Sequence, residues 1–597
     1  MRSSLSSFGV AWLLALGTFS FASCHHQAPA PKTAAVVAPA VAAPPPVQPL
    51  VLVPADAARG ALVATFVVPA FDRSLGSAIA LARKATPLPL DANTARDMLL
   101  GQAGIGPDVA KHLDSAAPIA GAVVSAGAGR PALTAFSFAA KSAAEVAPML
   151  AALGHVIARR GAAIEIETPT GEHAWFLPAG NMLLFADSEL ALAGAGELAR
   201  ESRRTGGDDV SVTLYPGALA GMLGTDVRTA LTRFLTEMEE RTAATGGQVG
   251  PEAHAQLREL VEYLADVGTA DLALQVDVGR GVGLVARLHP KAGSRLEGLG
   301  RVVQSMPLDP MLVAQAEAGI AGSSAYGDRT LDALRRQRAK LPATGKEAAK
   351  VARYMDALLD GLTGGFSMSG RLAPTLALDV VYPIKDAAAG AKIEGALLAV
   401  DKGAAAASLA AMLAGEKIAA KITQVRAEKL GKTRAAHWKL SMTVPGDKAG
   451  IVPKLLGPGG LDVFVAVVGG DRLVMASGAG AKARLSAMIA GRSKTVSTSM
   501  ADAVAARGAR SMYYYVDLRQ GLSLSMAMAA GHTKEASLDR LIGQLTAPMP
   551  IYGGVTGDAT SGALSIDLVI PPACLTGIGT VLGAIFGAGI AGGDSPL

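Results

Sequence analysis

Hydrophobic side chains at Leu272, Leu274, Val276 and Val278 alternate with Ala273, Gln275 and Asp277. A period of two sends successive side chains to opposite faces of a strand, so this stretch predicts an antiparallel sheet with one face covered by helices. Elsewhere the apolar period is that of a helix. Leu231, Phe234, Leu235 and Met238 fall at i, i+3, i+4 and i+7. Leu257, Leu260, Val261 and Leu264 do the same, entered through Pro251 and closed near Gly268. Val351, Tyr354, Met355, Leu358 and Leu362 form a third such stripe. All three read as core faces rather than cofactor pockets. Sheets of this kind with amphipathic helices packed on them predict the α+β class.

The body repeats itself. A strand that ends near an aromatic or a turn and then enters a helix occurs four times: Leu62–Ala78, Val210–Leu223, Gly322–Leu334 and Ser511–Met526. Asp72-Arg73-Ser74-Leu75 is echoed by Asp328-Arg329-Thr330-Leu331, in which Asp and Ser/Thr suit helix N-caps. Each copy is followed by a strand–turn–strand–helix pattern, with hairpins starting near Ile119, Ala270, Gly364 and Ile551. A further hairpin pattern occurs twice, over Trp175–Phe185 and Val465–Met475, with Gly180-Asn181 and Gly470-Asp471 at the turns. The expected organisation is two tandem homologous halves, 51–305 and 306–597. Each is built from strand-helix-helix-hairpin-helix units.

Composition narrows the picture. Half of the 597 residues are hydrophobic, which excludes a wholly disordered polar chain. Aromatics are only 4%, so Ala, Val and Leu must build most of the core. Two cysteines exclude a disulfide scaffold and any multi-cysteine metal cluster. The formal charge of +5 comes from 55 basic against 50 acidic residues, too even to imply a nucleic-acid surface.

The N-terminus carries an address. Arg2 precedes the uncharged, mostly apolar run Phe8–Phe21, about the length of a signal-peptide core and short for a membrane span. Phe21-Ala22-Ser23-Cys24 follows. These residues resemble the lipobox of bacterial lipoproteins, with Phe21 where an aliphatic residue is usual. The resemblance covers residues 1–24 and implies cleavage of 1–23 and acylation of Cys24. Ordinary cleavage after Ser20-Phe21-Ala22 is the rival reading. His25, rather than Asp, follows Cys24. By resemblance this implies the outer membrane, facing periplasm or cell surface, with anchoring by acyl chains. Residues 24–50 hold Pro29, Pro31, Pro39, Pro44, Pro45, Pro46 and Pro49 and predict an extended tether.

Apparent chemistry elsewhere dissolves on inspection. Gly431-Lys432-Thr433 ends like a phosphate-binding loop, but Arg426 stands where the leading glycine belongs. Gly365-Phe366-Ser367-Met368-Ser369 falls one residue short of a nucleophile elbow and starts a repeated strand. Glu237, Glu239 and Glu240 beside Arg233 and Arg241 read as a solvated helix face, as do Arg335, Arg336, Arg338 and Lys340. His25-His26 lacks a third metal ligand. The uncharged stretch Leu568–Gly593 reads as a buried terminal helix, with Cys574 a reduced core thiol and a membrane anchor as the alternative. No catalytic residue, cofactor site or metal site is expected. The architecture suits a binding or scaffolding role toward a protein, a lipid or a cell-wall ligand. The alternatives are a hydrolase assembled only in three dimensions and a purely structural envelope protein. A cleft with Ser or Asp beside a perturbed His or Lys would favour the hydrolase, and an apolar groove without one would favour binding.

Overall fold

A computed structural model describes residues 62–85, 91–102, 106–130, 132–167, 173–186, 188–193, 208–244, 251–302, 306–313, 319–325, 327–341, 345–372, 375–412, 419–443, 456, 459–491, 510–523 and 547–580. The signal-like segment, Cys24 and the tether lie outside the described residues, as do 581–597. The chain divides into two compact units. One holds residues 1–80, 88–276 and 287–296, the other 81–87, 277–286 and 297–597. Helices and antiparallel strands build both.

In the first unit the strands are β1 (Leu62–Val68), β2 (Ile119–Ser125), β3 (Ala132–Ala139), β4 (His155–Arg160), β5 (Ala163–Glu167), β6 (His173–Ala179), β7 (Met182–Ala186), β8 (Val210–Leu214) and β9 (Val267–Asp277). β10 (Gly281–Pro290) follows in the chain. The hydrogen-bonded order is β4-β5-β6-β7-β3-β2-β1-β8-β9, every pair antiparallel. Ala174, Phe176 and Leu183 pack on one face with Met149 and Leu150 of the helix Val146–Leu153. Trp175, Leu184 and Ala186 pack on the other with Ala191 and Leu192 of the helix Glu189–Ala193. Helices therefore cover both faces of β6 and β7. This departs from the one covered face expected, because the segments following β3 and β7 return to opposite sides.

Gly121 in β2 leaves room that its neighbour fills. A Cβ there would overlap the Phe66 ring, which lies edge-on to Phe136 at 5.9 Å between centroids. Gly121→Ala is expected to cost about 1–3 kcal/mol through overpacking. Urea unfolding would check this; an unchanged midpoint would show that Phe66 moves aside without loss.

Two of the three helical stripes are corrected by the structure. Leu235 and Val261 are buried, but Phe234 is 60% and Leu260 51% exposed, on the helices Val227–Ala244 and Pro251–Ala265. The two helices pack against each other, so each buries only part of its stripe. Arg228 to Glu262 at 2.8 Å and His254 to Glu239 at 3.1 Å tie them together. The expected N-caps also differ. The helix begins at Phe71, so Asp72 and Ser74 lie inside its first turn. The Ser115 hydroxyl donates to Asp72, and Ser74 Oγ donates to Asp209 Oδ1 at 2.8 Å.

The second unit contains β11 (Ile320–Ser324), β12 (Phe366–Arg371), β13 (Ala377–Pro383), β14 (Ala419–Leu430), β15 (Thr433–Thr443), β16 (Leu461–Val468), β17 (Arg472–Gly478), β18 (Met512–Asp517), β19 (Pro550–Gly557) and β20 (Leu564–Ile570). Their order is β14-β15-β16-β17-β13-β12-β11-β18-β19-β20, again antiparallel throughout. β16 reads LDVFVAVV and is buried from Val463 to Val468, as an apolar run covered on both faces should be. Phe464, Ala466 and Val474 meet Leu312, Leu485 and Met488 on one face. Val463, Val465 and Leu473 meet the helices Lys346–Gly361, Ala387–Leu398 and Lys402–Met412 on the other. Asp386 caps the second of these helices by accepting from the Ala389 amide at 2.7 Å, satisfying one of the free donors of the first turn.

The chain after β20 turns into a helix over 572–580. Its Cys574 is buried against Met549, with Leu518, Ile551 and Ile578 around them. Among the described residues no helix is long and apolar enough to cross a membrane.

Candidate functional site

The third helical stripe is a core face, as expected: Val351, Met355, Leu358 and Leu362 are buried in one cluster, and Tyr354 packs against it. Val351, Tyr354, Met355 and Leu358 line a cavity of about 360 Å³ in the second unit. The helix places them on one side because residues three, four and seven apart share a face. The sheet supplies the opposite wall. Strand register puts Trp438 of β15 opposite Val463 of β16, Val465 opposite Met475 of β17, and Leu473 opposite Tyr382 of β13. All six line the cavity, because cross-strand partners project to the same face. Thr330, Leu334 and Gln337 of the helix Gly327–Lys340 close another side, with Ala405 and Leu409 of Lys402–Met412.

Among the described residues the lining holds no carboxylate, histidine, lysine, arginine, serine or cysteine. Its polar groups are Thr330, Gln337, the hydroxyls of Tyr354 and Tyr382, and the Trp438 indole. Burial raises Tyr354 well above the usual phenol range, and the neighbouring Tyr382 adds to the shift. Burial alone raises Tyr382. Both therefore stay neutral hydroxyls. Trp438 Nε1 is buried with no hydrogen-bond partner among the described residues. Such a donor has lost water without compensation, a cost of about 1–3 kcal/mol.

The arrangement closest to acid–base chemistry lies on the other face of β15. His437 is 5% exposed and stacks on Phe464 with 4.1 Å between ring centroids. Its Nδ1 lies 3.0 Å from Glu428 and its Nε2 2.8 Å from Asp462. Glu428 also meets Lys482 at 2.7 Å, and Arg426. Burial works against the Glu428 carboxylate, but these cations hold it below its usual range. No serine, threonine or cysteine hydrogen-bonds this histidine among the described residues. The cluster links β14, β15 and β16.

The sequence-derived candidates fall as follows. Gly431-Lys432 is the β14–β15 hairpin turn, where Gly431 has φ +63°, and Thr433 begins β15 opposite Leu430. Ser367 is fully buried in β12, and its hydroxyl accepts from the Asp309 amide at 3.2 Å. Glu239 is partly buried beside His254, while Glu237 and Glu240 are exposed. Arg335 pairs with Asp332 and Arg338 with Asp356, which neutralises much of the basic run. Cys574 is a free thiol whose burial, with Asp517 nearby, pushes it up to about 12. Among the described residues no group of three or more His, Cys, Asp or Glu side chains could hold a metal ion. Cys24 and His25-His26 lie outside the described residues. The cavity was missed because its helical stripe looks like any core face. The available signal was aromatic: Tyr354, Tyr382 and Trp438 interrupt otherwise aliphatic positions. No protein-family model, curated protein or solved structure matches the chain.

Proposed function

We propose that this chain is an envelope lipoprotein, acylated at Cys24, whose duplicated α+β body binds an apolar small molecule in the second unit. The observation that carries the binding reading is the cavity of about 360 Å³, walled mostly by aliphatic and aromatic side chains, with no carboxylate, histidine, lysine or arginine among its described lining residues. The same lining speaks against the hydrolase alternative, because no nucleophile is paired with a base there.

The duplication has its own support. Adding ten to each strand number of the first unit's order reproduces the second unit's order from β14 to β19. Within each unit the repeated strands lie side by side, β1 against β8 and β11 against β18. Counted back from the hairpin turns, Phe176 opposite Phe185 matches Val465 opposite Met475. The turn in the second hairpin is Gly469–Asp471, one residue longer than Gly180-Asn181. In the first unit these positions carry a packed cluster: Phe185 lies 5.2 Å from Phe176 and 6.0 Å from Phe136 between ring centroids. The second unit has Val465, Met475 and Val380 there, so less side-chain volume meets the covering helices.

Met475→Phe tests the reading by restoring an aromatic ring at the matched position. Native mass spectrometry of the full-length protein from its own cells should show an apolar adduct on the wild type. The adduct should be lost, or its affinity weakened at least about tenfold (about 1.4 kcal/mol), in Met475→Phe. Equal adduct on both proteins, or none on the wild type, would overturn the proposal.

A further inference from the structure

We infer that the ligand is an uncharged chain carrying one neutral hydrogen-bonding group, an ester or amide carbonyl, and that Tyr354 and Tyr382 select for it. This rests on the cavity being a binding site and names its ligand class. Tyr354 comes from the helix Lys346–Gly361 and Tyr382 from β13, so the helix and the sheet each contribute one tyrosine to the lining. Neither makes a hydrogen bond to a described residue. The two tyrosines set hydroxyl donors among mostly apolar side chains, and an acceptor on a ligand that bonds to them is favoured over a purely apolar one. A carbonyl oxygen has two lone pairs and accepts from such hydroxyl donors without carrying a charge. A charged head group is disfavoured inside, because the described lining residues include no cation to offset its desolvation.

The test uses the full-length protein and three probes of matched chain length, octane, methyl octanoate and octanoate, titrated by calorimetry. Methyl octanoate should bind wild type about tenfold more tightly than octane, in line with one or two neutral hydrogen bonds. Octanoate should bind more weakly than the ester. In Tyr354→Phe/Tyr382→Phe the ester should fall to the level of octane, with octane affinity unchanged. That unchanged affinity also shows that the variant is folded. An ester preference that survives the double substitution, no ester preference in wild type, or tighter binding of octanoate would overturn the inference while leaving the cavity a binding site. No binding by any of the three to wild type would overturn the binding reading itself, and the tyrosine assignment with it.

Discussion

Replacing Arg484 by methionine is expected to destabilise the second unit by about 3–5 kcal/mol near neutral pH, the scale of a buried ion pair broken on one side. Asp379 is only 3% exposed in the middle of β13. Arg484 Nε donates to its two oxygens at 3.0 and 2.9 Å, and Nη2 donates to the Ser477 carbonyl at 2.6 Å. Removing the guanidinium strands a carboxylate inside a sheet covered on both faces. Burial raises the Asp379 carboxyl above its ordinary value, and the bonds from Arg484 only partly offset this. A raised acid holds its proton more tightly folded than unfolded. Stability therefore falls as pH rises from the unfolded value through the folded one, and the penalty persists above it. Without Arg484 the folded value rises further. The deficit of the variant should be largest at neutral pH and narrow as the solution is acidified toward the ordinary carboxylate range. Denaturant unfolding at several pH values checks this. A loss independent of pH, or under about 1 kcal/mol, would sink the argument. Asp379→Asn added to Arg484→Met should recover part of the loss, because the remaining group is then neutral.

Cys24→Ala is expected to move the protein from the membrane fraction to the soluble one. Each buried methylene of an acyl chain contributes about 0.8 kcal/mol, and lasting attachment needs more than one chain. Loss of the acylation point therefore removes the whole anchor at once. Detergent-free fractionation reads the result, and an unchanged membrane fraction would count against acylation at this residue. A thiol titration gives an independent measure. The chain contains two cysteines, Cys24 and Cys574, and the latter is a free thiol buried in the native fold. Denatured protein from membranes should titrate one thiol if the sulfur of Cys24 carries lipid, and two if it does not.

Local features were the most legible. The strands expected near Leu62, Val210, Gly322 and Ser511 and the hairpins expected near Ile119, Ala270, Gly364 and Ile551 lie within a few residues of strands in the structure. These are short-range matters of pleat and turn. Burial was less legible. Phe234 and Leu260 sit in good helical stripes yet face outward, because periodicity says which residues share a face but not what covers it. The buried ion pair was hidden too, since Asp379 and Arg484 are 105 residues apart. His437, Glu428 and Asp462 likewise come from three strands with no shared spacing. Nothing in the chain between such residues signals that they meet.

The hydrophobic pattern alone determined that this is a protein of antiparallel strands and amphipathic helices, because side-chain direction follows from backbone geometry within a few residues. Only the tertiary structure decided that the buried stripe through Val351 and Met355 also borders a cavity, while β3, β6 and β7 of the first unit carry packed phenylalanines. Whether space is filled depends on the summed volumes of side chains from several elements distant in sequence, and no local period records that sum.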